Sequence, residues 1–344
     1  MEEVKMTNQP SNSPQEEIMD ISTPTPNFEM SPEQTIQKQE MSLVQKLRLD
    51  SSQHQQKYVF QALDLRDNHE YAVKVFMSRD YLQYKIEVSN YQMIRISTNR
   101  LVSMLETVDK NQIKHPLVYE GQQYWNYSYI VMPYYENGTL LDLIMKSNKR
   151  QIKMSPQLQN YLWQECLKCA RDLTVKNLLS HLDLKPDNFI IDNDYHLRLI
   201  DFGHTIIYDQ PSDSLSGTPN YMAPEIHQRD RRKYIPWKVD IFNLGVILHI
   251  ILFRQAPFQS TRLSDNLYKY IRRGDFNAFF SIHRASGYPM DGLNLIWDCL
   301  KEDPDDRCKS IDYLLEHPIT KFTNPNSNMR QNTFDEMSFF LNSQ

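Results

Sequence analysis

Residues 181–203, HLDLKPDNFIIDNDYHLRLIDFG, constrain this chain more than any other stretch, because two short apolar runs flank a polar interval too brief for anything but a turn. FIID, then NDYH, then LRLID predicts two short buried strands joined by a tight turn, with polar residues at the strand mouths. That arrangement brings Asn188 and Asp201 close together. Two oxygen ligands converging there suit Mg2+, which takes carboxylate and carbonyl oxygens and keeps a place for substrate phosphates. Asp183, in the loop just before, supplies a proton acceptor for a hydroxyl, and Lys185 a cation for a moving phosphoryl group. Any one of these is an ordinary turn residue. Their joint spacing is what carries information.

The set His181, Asp183, Lys185, Pro186, Asn188, Asp201, Phe202 and Gly203 resembles the catalytic loop and metal-binding loop of eukaryotic protein kinases. The order D-L-K-P resembles the serine/threonine subclass. The resemblance implies an α+β, bilobal fold with a small antiparallel-sheet N-lobe and a larger, mainly helical C-lobe. It implies Asp183 as catalytic base, Asn188 and Asp201 as metal ligands, ATP and Mg2+ as cofactors, and a protein bearing a Ser or Thr hydroxyl as substrate.

The chain has 344 residues, 40% of them hydrophobic, enough for a sizeable core. A net charge of −5 gives no general pull toward nucleic acid or an anionic membrane. The longest apolar run, LGVILHIILF from Leu244, falls short of the roughly 20 residues of a membrane span and predicts a buried helix. The polar N-terminus, MEEVKMTNQP, is unlike a signal peptide, so the expectation is a soluble intracellular protein, cytoplasmic or nuclear. Cys166, Cys169, Cys299 and Cys308 are too scattered for a disulfide framework, and the Cys166/Cys169 pair lies within a helical pattern as core.

Residues 1–42, rich in Gln, Glu, Ser, Thr and Pro, are expected to be disordered, with Ser13, Thr23, Thr25 and Ser31 each before a proline. Such sites suit proline-directed phosphorylation, or belong to a plain polar tail. Strand-like alternation in KYVFQALDL, EYAVKVF and YSYIVMPY, with the helical YLQYKIEVSNYQMIRI between the last two, predicts a small sheet with one helix. Long amphipathic segments follow: LLDLIMKS, PQLQNYLWQECLKCARDL, VDIFNLGVILHIILF and LNLIWDCLKED. The expected domain is 43–321, with N-lobe 43–132, hinge 133–137 and C-lobe 138–321. Residues 322–344 form a polar tail whose TFDEMSFFL cluster either docks or does nothing.

EYAVKVF resembles the kinase V-A-I-K strand, whose lysine holds nucleotide phosphates, which implies that role for Lys74. Asp80 and Glu87 are both candidate partners for this lysine, and Glu87 is favoured because it lies inside the helical run with Val88, Tyr91 and Ile94 on one face. YIVMPYYENGTL resembles the inter-lobe segment that binds adenine through its backbone. Met132 then borders the pocket, Pro133 offers a carbonyl, and Tyr135 an N–H and a carbonyl, with Val59, Ala72 and Ile190 as further nucleotide contacts. GTPNYMAPE resembles the end of the activation segment, in which Thr218 contacts Asp183 and Lys185. Glu225 is expected to pair with Arg307, and Asp240 to hold the backbone of the catalytic loop.

Two departures stand out. Leu182 replaces the arginine that receives an activation-loop phosphate in most regulated kinases, which makes Ser214 an ordinary loop serine. The glycine-rich loop is degenerate: aligning Val59 with the family valine puts Ser52, His54 and Lys57 where three glycines belong, and glycine is what allows backbone N–H groups to approach phosphate closely. The leading reading is an ATP- and Mg2+-dependent serine/threonine protein kinase. The alternative is a pseudokinase, the same fold kept as a scaffold or allosteric partner with weak or no ATP binding; a small-molecule phosphotransferase fits GTPNYMAPE less well.

Overall fold

The computed structural model describes residues 41–47, 58–64, 68–119, 122–227, 233–321 and 327–342. Ser13, Thr23, Thr25, Ser31, Ser52, His54 and Lys57 lie outside the described residues.

Strands β1 (Met41–Leu47), β2 (Tyr58–Asp64), β3 (His69–Met77) and β4 (Glu106–Val108) are followed by a hairpin of β5 (Leu117–Tyr119) and β6 (Gln122–Tyr124), then by β7 (Tyr127–Pro133). Five of them form an antiparallel sheet in the order β1-β2-β3-β7-β4. Val59 stands opposite Lys74, Lys74 opposite Ile130, and Ala72 opposite Met132. Because side chains alternate across a strand, this register sends Val59, Ala72, Phe76, Ile130 and Met132 into the main core. Their neighbours Phe60, Ala62, Val73, Val75 and Val131 face the other way and form a second cluster with Leu117 of the hairpin. The sheet is therefore covered on both sides. Helix α1 (Tyr81–Met93) connects β3 to β4.

Beyond β7 the chain is mainly helical. α2 (Leu140–Lys149) begins in a capping box, with Thr139 accepting from the Asp142 N–H while the Asp142 carboxylate accepts from Thr139. α3 (Pro156–Arg171) starts after the capping hydroxyl of Ser155, with proline in the first turn where no N–H is needed. The predicted site hairpin follows β8 (Leu179–Ser180). It consists of β9 (Phe189–Ile191) and β10 (Leu197–Leu199), paired antiparallel with Phe189 opposite Leu199, and β11 (Ile206–Ile207) returns to pair with β8. α4 (Pro236–Phe253) is mostly apolar and buried along most of its length. Among the described residues it is the one helix long and apolar enough to cross a membrane, and it serves here as the buried axis.

α5 (Tyr268–Arg272) and α6 (Phe276–Ile282) follow, then α7 (Met290–Cys299), which packs on α4, and α8 (Ile311–Glu316) and α9 (Pro318–Lys321), which pack on α3. A Cβ on Gly245 of α4 would lie 2.5 Å from Cys299 Cβ, which is why α4 and α7 approach so closely there. Cys166 and Cys169 are fully buried core residues, as expected.

Residues 327–341 of the expected polar tail form α10 (Ser327–Leu341). TFDEMSFFL takes the docking alternative: Met337, Phe340 and Leu341 are buried, Phe334 packs on Tyr161 and Tyr195, Lys146 donates to the Leu341 carbonyl at 2.8 Å, and the Ser155 N–H donates to Glu336 at 2.7 Å.

Candidate active site

Hairpin pairing puts the two proposed metal ligands side by side. The Ile200 N–H donates to the Asn188 carbonyl at 3.0 Å, so Asp201 leaves β10 next to the residue that enters β9. Leu182 and Asp201 both take left-handed backbone, φ 63° and 64°, a strained conformation for side chains of this kind. Neighbours hold it. Asp240 accepts the N–H groups of His181 and Leu182 at 2.8 Å each, as the sequence predicts, and Asn90 of α1 donates its side-chain amide to the Phe202 carbonyl at 2.7 Å.

The His181 ring donates from Nε2 to the Ile200 carbonyl at 3.0 Å and accepts the Asp183 N–H on Nδ1 at 3.3 Å. That requires a neutral ring, and burial supplies it by lowering the His181 pKa to about 4. Burial also raises Asp240 to about 7, against the pull of the two backbone donors.

Asp183 is the hub of the catalytic loop. Its Oδ1 accepts the Thr218 N–H at 2.7 Å, Lys185 Nζ lies 3.2 Å from its Oδ2, and Lys185 also donates to the Thr218 hydroxyl at 2.8 Å. Asn188 donates its amide to the Asp183 carbonyl at 2.7 Å, leaving its side-chain oxygen as the group suited to a cation. Gly217 makes the Thr218 contact possible. Its φ is 110°, and a Cβ there would stand 2.7 Å from the Leu182 carbonyl.

Lys74 connects sheet, helix and metal loop. Its ammonium lies 2.6 Å from both carboxyl oxygens of Glu87 and 2.8 Å from Asp201 Oδ1. Asp80, the other candidate, pairs with Arg79 instead. Three carboxylates (Glu87, Asp183, Asp201) face two ammonium groups (Lys74, Lys185), so the site carries a net negative charge that a cation would neutralise.

This donor set fits Mg2+. Among the described residues no group of three or more His, Cys, Asp or Glu could hold a metal, but Mg2+ needs only one or two carboxylates when substrate phosphates complete its shell. Asn188 and Asp201 are the residues that would hold it. Val59, Ala72, Met132 and Ile190 are all apolar and buried, with Ala72 opposite Met132 across β3 and β7. Pro133 closes β7 opposite Tyr71, and Tyr135 follows it under the Arg198 guanidinium, 5.3 Å from the ring centre.

Several contributors carry little sequence signal. Tyr91 packs edge-on against Phe202 and donates its hydroxyl to the Met132 sulfur at 3.2 Å. Tyr81 and Tyr84 tie α1 to β4 through Asp109 at 2.7 Å and Thr107 at 2.6 Å. A polar Asn90 beside Glu87 on the buried stripe of α1 is the one clue a sequence offers. The expected structural pair is present: Arg307 reaches both Glu225 oxygens at 2.7 Å, and both residues are buried.

A family profile described as protein kinase domain matches residues 55–320. The chain is 29% identical over 262 residues to SNF1-related protein kinase catalytic subunit alpha KIN12 of Arabidopsis thaliana, an alignment covering 75% of this chain and 47% of that protein. It is 29% identical over 214 residues to CBL-interacting protein kinase 2 of Oryza sativa subsp. japonica, covering 60% and 45%. It is 31% identical over 182 residues to the cell cycle serine/threonine-protein kinase CDC5/MSD2 of Saccharomyces cerevisiae, covering 52% and 24%. The chain spans about half, or less, of the length of these curated relatives.

Proposed function

Because this chain belongs to the protein kinase domain family, we propose that it is a working serine/threonine protein kinase, transferring the γ-phosphate of ATP to a protein hydroxyl. The observation that carries this reading is the simultaneous engagement of Lys74 by Glu87 and Asp201, with Asp183, Lys185 and Thr218 mutually bonded. A site kept only as a scaffold has no need of that joint order.

Lys74, fixed by Glu87, presents its charge to nucleotide phosphates. Val59, Ala72, Met132 and Ile190 enclose the adenine, with the backbone of Pro133 and Tyr135 at its edge. Asp183 receives the proton of the acceptor hydroxyl, and Lys185 balances charge on the transferred group. Thr218 seats the Ser- or Thr-bearing segment of the substrate. Asn188 and Asp201 would hold Mg2+, whose charge would offset that of the phosphate oxygens.

The rival is a pseudokinase, motivated by Ser52, His54 and Lys57 at the glycine positions. The two separate on one measurement: the Mg2+-dependent thermal shift with ATP, followed by phosphate transfer to a generic Ser/Thr substrate, with Asp201→Ala as control. A shift plus transfer above the control supports the kinase. No Mg2+-dependent shift and no transfer above the control rejects it.

A further inference from the structure

From His204 to His227 the chain contains no lysine or arginine, and the position that in regulated kinases carries the phosphate-receiving arginine is Leu182, 1% exposed. The segment is nonetheless held at both ends by hydrogen bonds. Nδ1 of His204, the residue directly after Gly203, lies 2.6 Å from the Ser216 hydroxyl, closing a loop across twelve positions. Ser216 is buried, 8% exposed, and two residues later the Thr218 N–H donates to Asp183. A second clasp acts just outside the first. Ser212 and Tyr234 exchange backbone hydrogen bonds at 2.9 and 2.8 Å, and the Tyr234 hydroxyl donates to the Ser214 carbonyl at 2.7 Å. Between the clasps Ser214 is exposed and Leu215 is 81% exposed.

We propose that His204 and Ser216 are positioning residues that form a hydrogen-bonded latch, holding Thr218 and Lys185 on Asp183 with no phosphate on the segment; the catalytic half of this proposal rests on the kinase reading above. The physical argument is one of leverage. Ser216 precedes Gly217, the residue whose backbone lies so close to the Leu182 carbonyl that a Cβ would not fit, so displacement of Ser216 is passed directly to Thr218. Within the segment itself a phosphate added between Tyr208 and Ser216 would meet the carboxylates Asp209 and Asp213 and no basic residue, while the exposed Lys233 stands next to Tyr234 of the second clasp. The latch does with a partly buried hydrogen bond what an arginine and a phosphate would do with an ion pair.

The test uses the full chain coexpressed with a phosphatase, its lack of phosphate confirmed by intact mass. Ser216→Ala, His204→Ala, the double variant and Ser216→Thr, which keeps the hydroxyl, are compared by hydrogen exchange over residues 212–218 and by kcat and KM with ATP and a generic Ser/Thr peptide. The expected result is faster exchange at residues 216–218 and a fall in kcat of about fivefold to tenfold in each alanine variant, the size of one lost hydrogen bond. The KM for ATP stays unchanged, the double variant is no worse than either single, and Ser216→Thr is close to wild type. Wild-type exchange in both single variants would overturn the latch, as would a wild-type protein whose transfer appears only after phosphorylation. If no protein in the set transfers phosphate, the kinase reading fails, and the exchange data alone then decide whether the latch orders the segment.

Discussion

Both carboxyl oxygens of Glu87 stand 2.6 Å from Nζ of Lys74, in surroundings where each residue is less than 5% exposed. The ammonium is thus aimed by α1 rather than by its own flexible stem. Glu87→Gln keeps the shape and removes the charge. We expect kcat/KM for phosphate transfer to fall by about ten- to a hundredfold, the effect of weakening a charge-assisted hydrogen bond of about 1.5 to 3 kcal/mol. Steady-state kinetics check this, and an unchanged kcat/KM would contradict the assignment.

Asp183→Asn should separate chemistry from binding. Loss of the proton acceptor costs transfer about 10² to 10⁴-fold, while the Mg2+-dependent thermal shift with ATP persists, because Asn188, Asp201 and Lys74 remain. Asp201→Ala should instead lose both. The comparison needs only a fluorescence melt and a transfer assay on the same preparations.

Arg307→Ala should fail in folding rather than in chemistry. It leaves Glu225 charged, buried and alone, at a cost of about 3 to 5 kcal/mol. Urea unfolding measures the loss. Replacing both partners by apolar residues of similar volume should recover only part of it, since the Arg307 guanidinium also donates to the Lys238, Lys301 and Glu302 carbonyls.

Much of this was readable in advance. HLDLKPDN and DFG set the site hairpin, EYAVKVF gave the lysine strand, and the four long amphipathic segments each became helices. What sequence could not show follows a physical pattern. The inward stripe of α1 is Tyr84, Glu87, Asn90 and Tyr91 rather than Val88, Tyr91 and Ile94, because its polar members are satisfied by Lys74 and the Phe202 carbonyl, residues distant in the chain. Ile94 falls beyond the end of the helix. α5, α6, α8 and α9, at 4 to 7 residues each, are too short to display a period. The His204–Ser216 bond joins two residue types with no sequence signature at all.

Acid should weaken the fold through His181, and the sign can be worked from its position. The ring takes a proton near pH 6.5 when unfolded and only near pH 4 when folded, so the unfolded state gains protons first as pH falls. Stability contributed by this residue is intact above about pH 6.5 and declines by about 3 kcal/mol toward pH 4, at about 1.4 kcal/mol per unit. Asp240 acts in the opposite sense, losing stability as pH rises from 3.8 to about 7. The clean observable is therefore a difference: His181→Gln should show a shallower acid decline than the wild type in urea unfolding between pH 6.5 and 4, with Asp240 common to both.

Ser214→Ala should leave transfer within about threefold, well inside the tenfold step that 1.4 kcal/mol represents. Ser214 is exposed, and the contact it makes with Tyr234 uses its backbone carbonyl, which alanine retains. A hundredfold loss in a peptide-phosphorylation assay would show that the hydroxyl is needed.

The left-handed residues at Leu182 and Asp201 also bear on how heat-tolerant this molecule can become. Strain of this kind costs of order 1 to 3 kcal/mol per residue, and an engineer could relieve it harmlessly at exposed Arg284, where φ is 55°. At Leu182 and Asp201 the same relief would release the loops that aim Asp183 and Asn188. Backbone relief for heat tolerance is therefore open at Arg284 and constrained at Leu182 and Asp201.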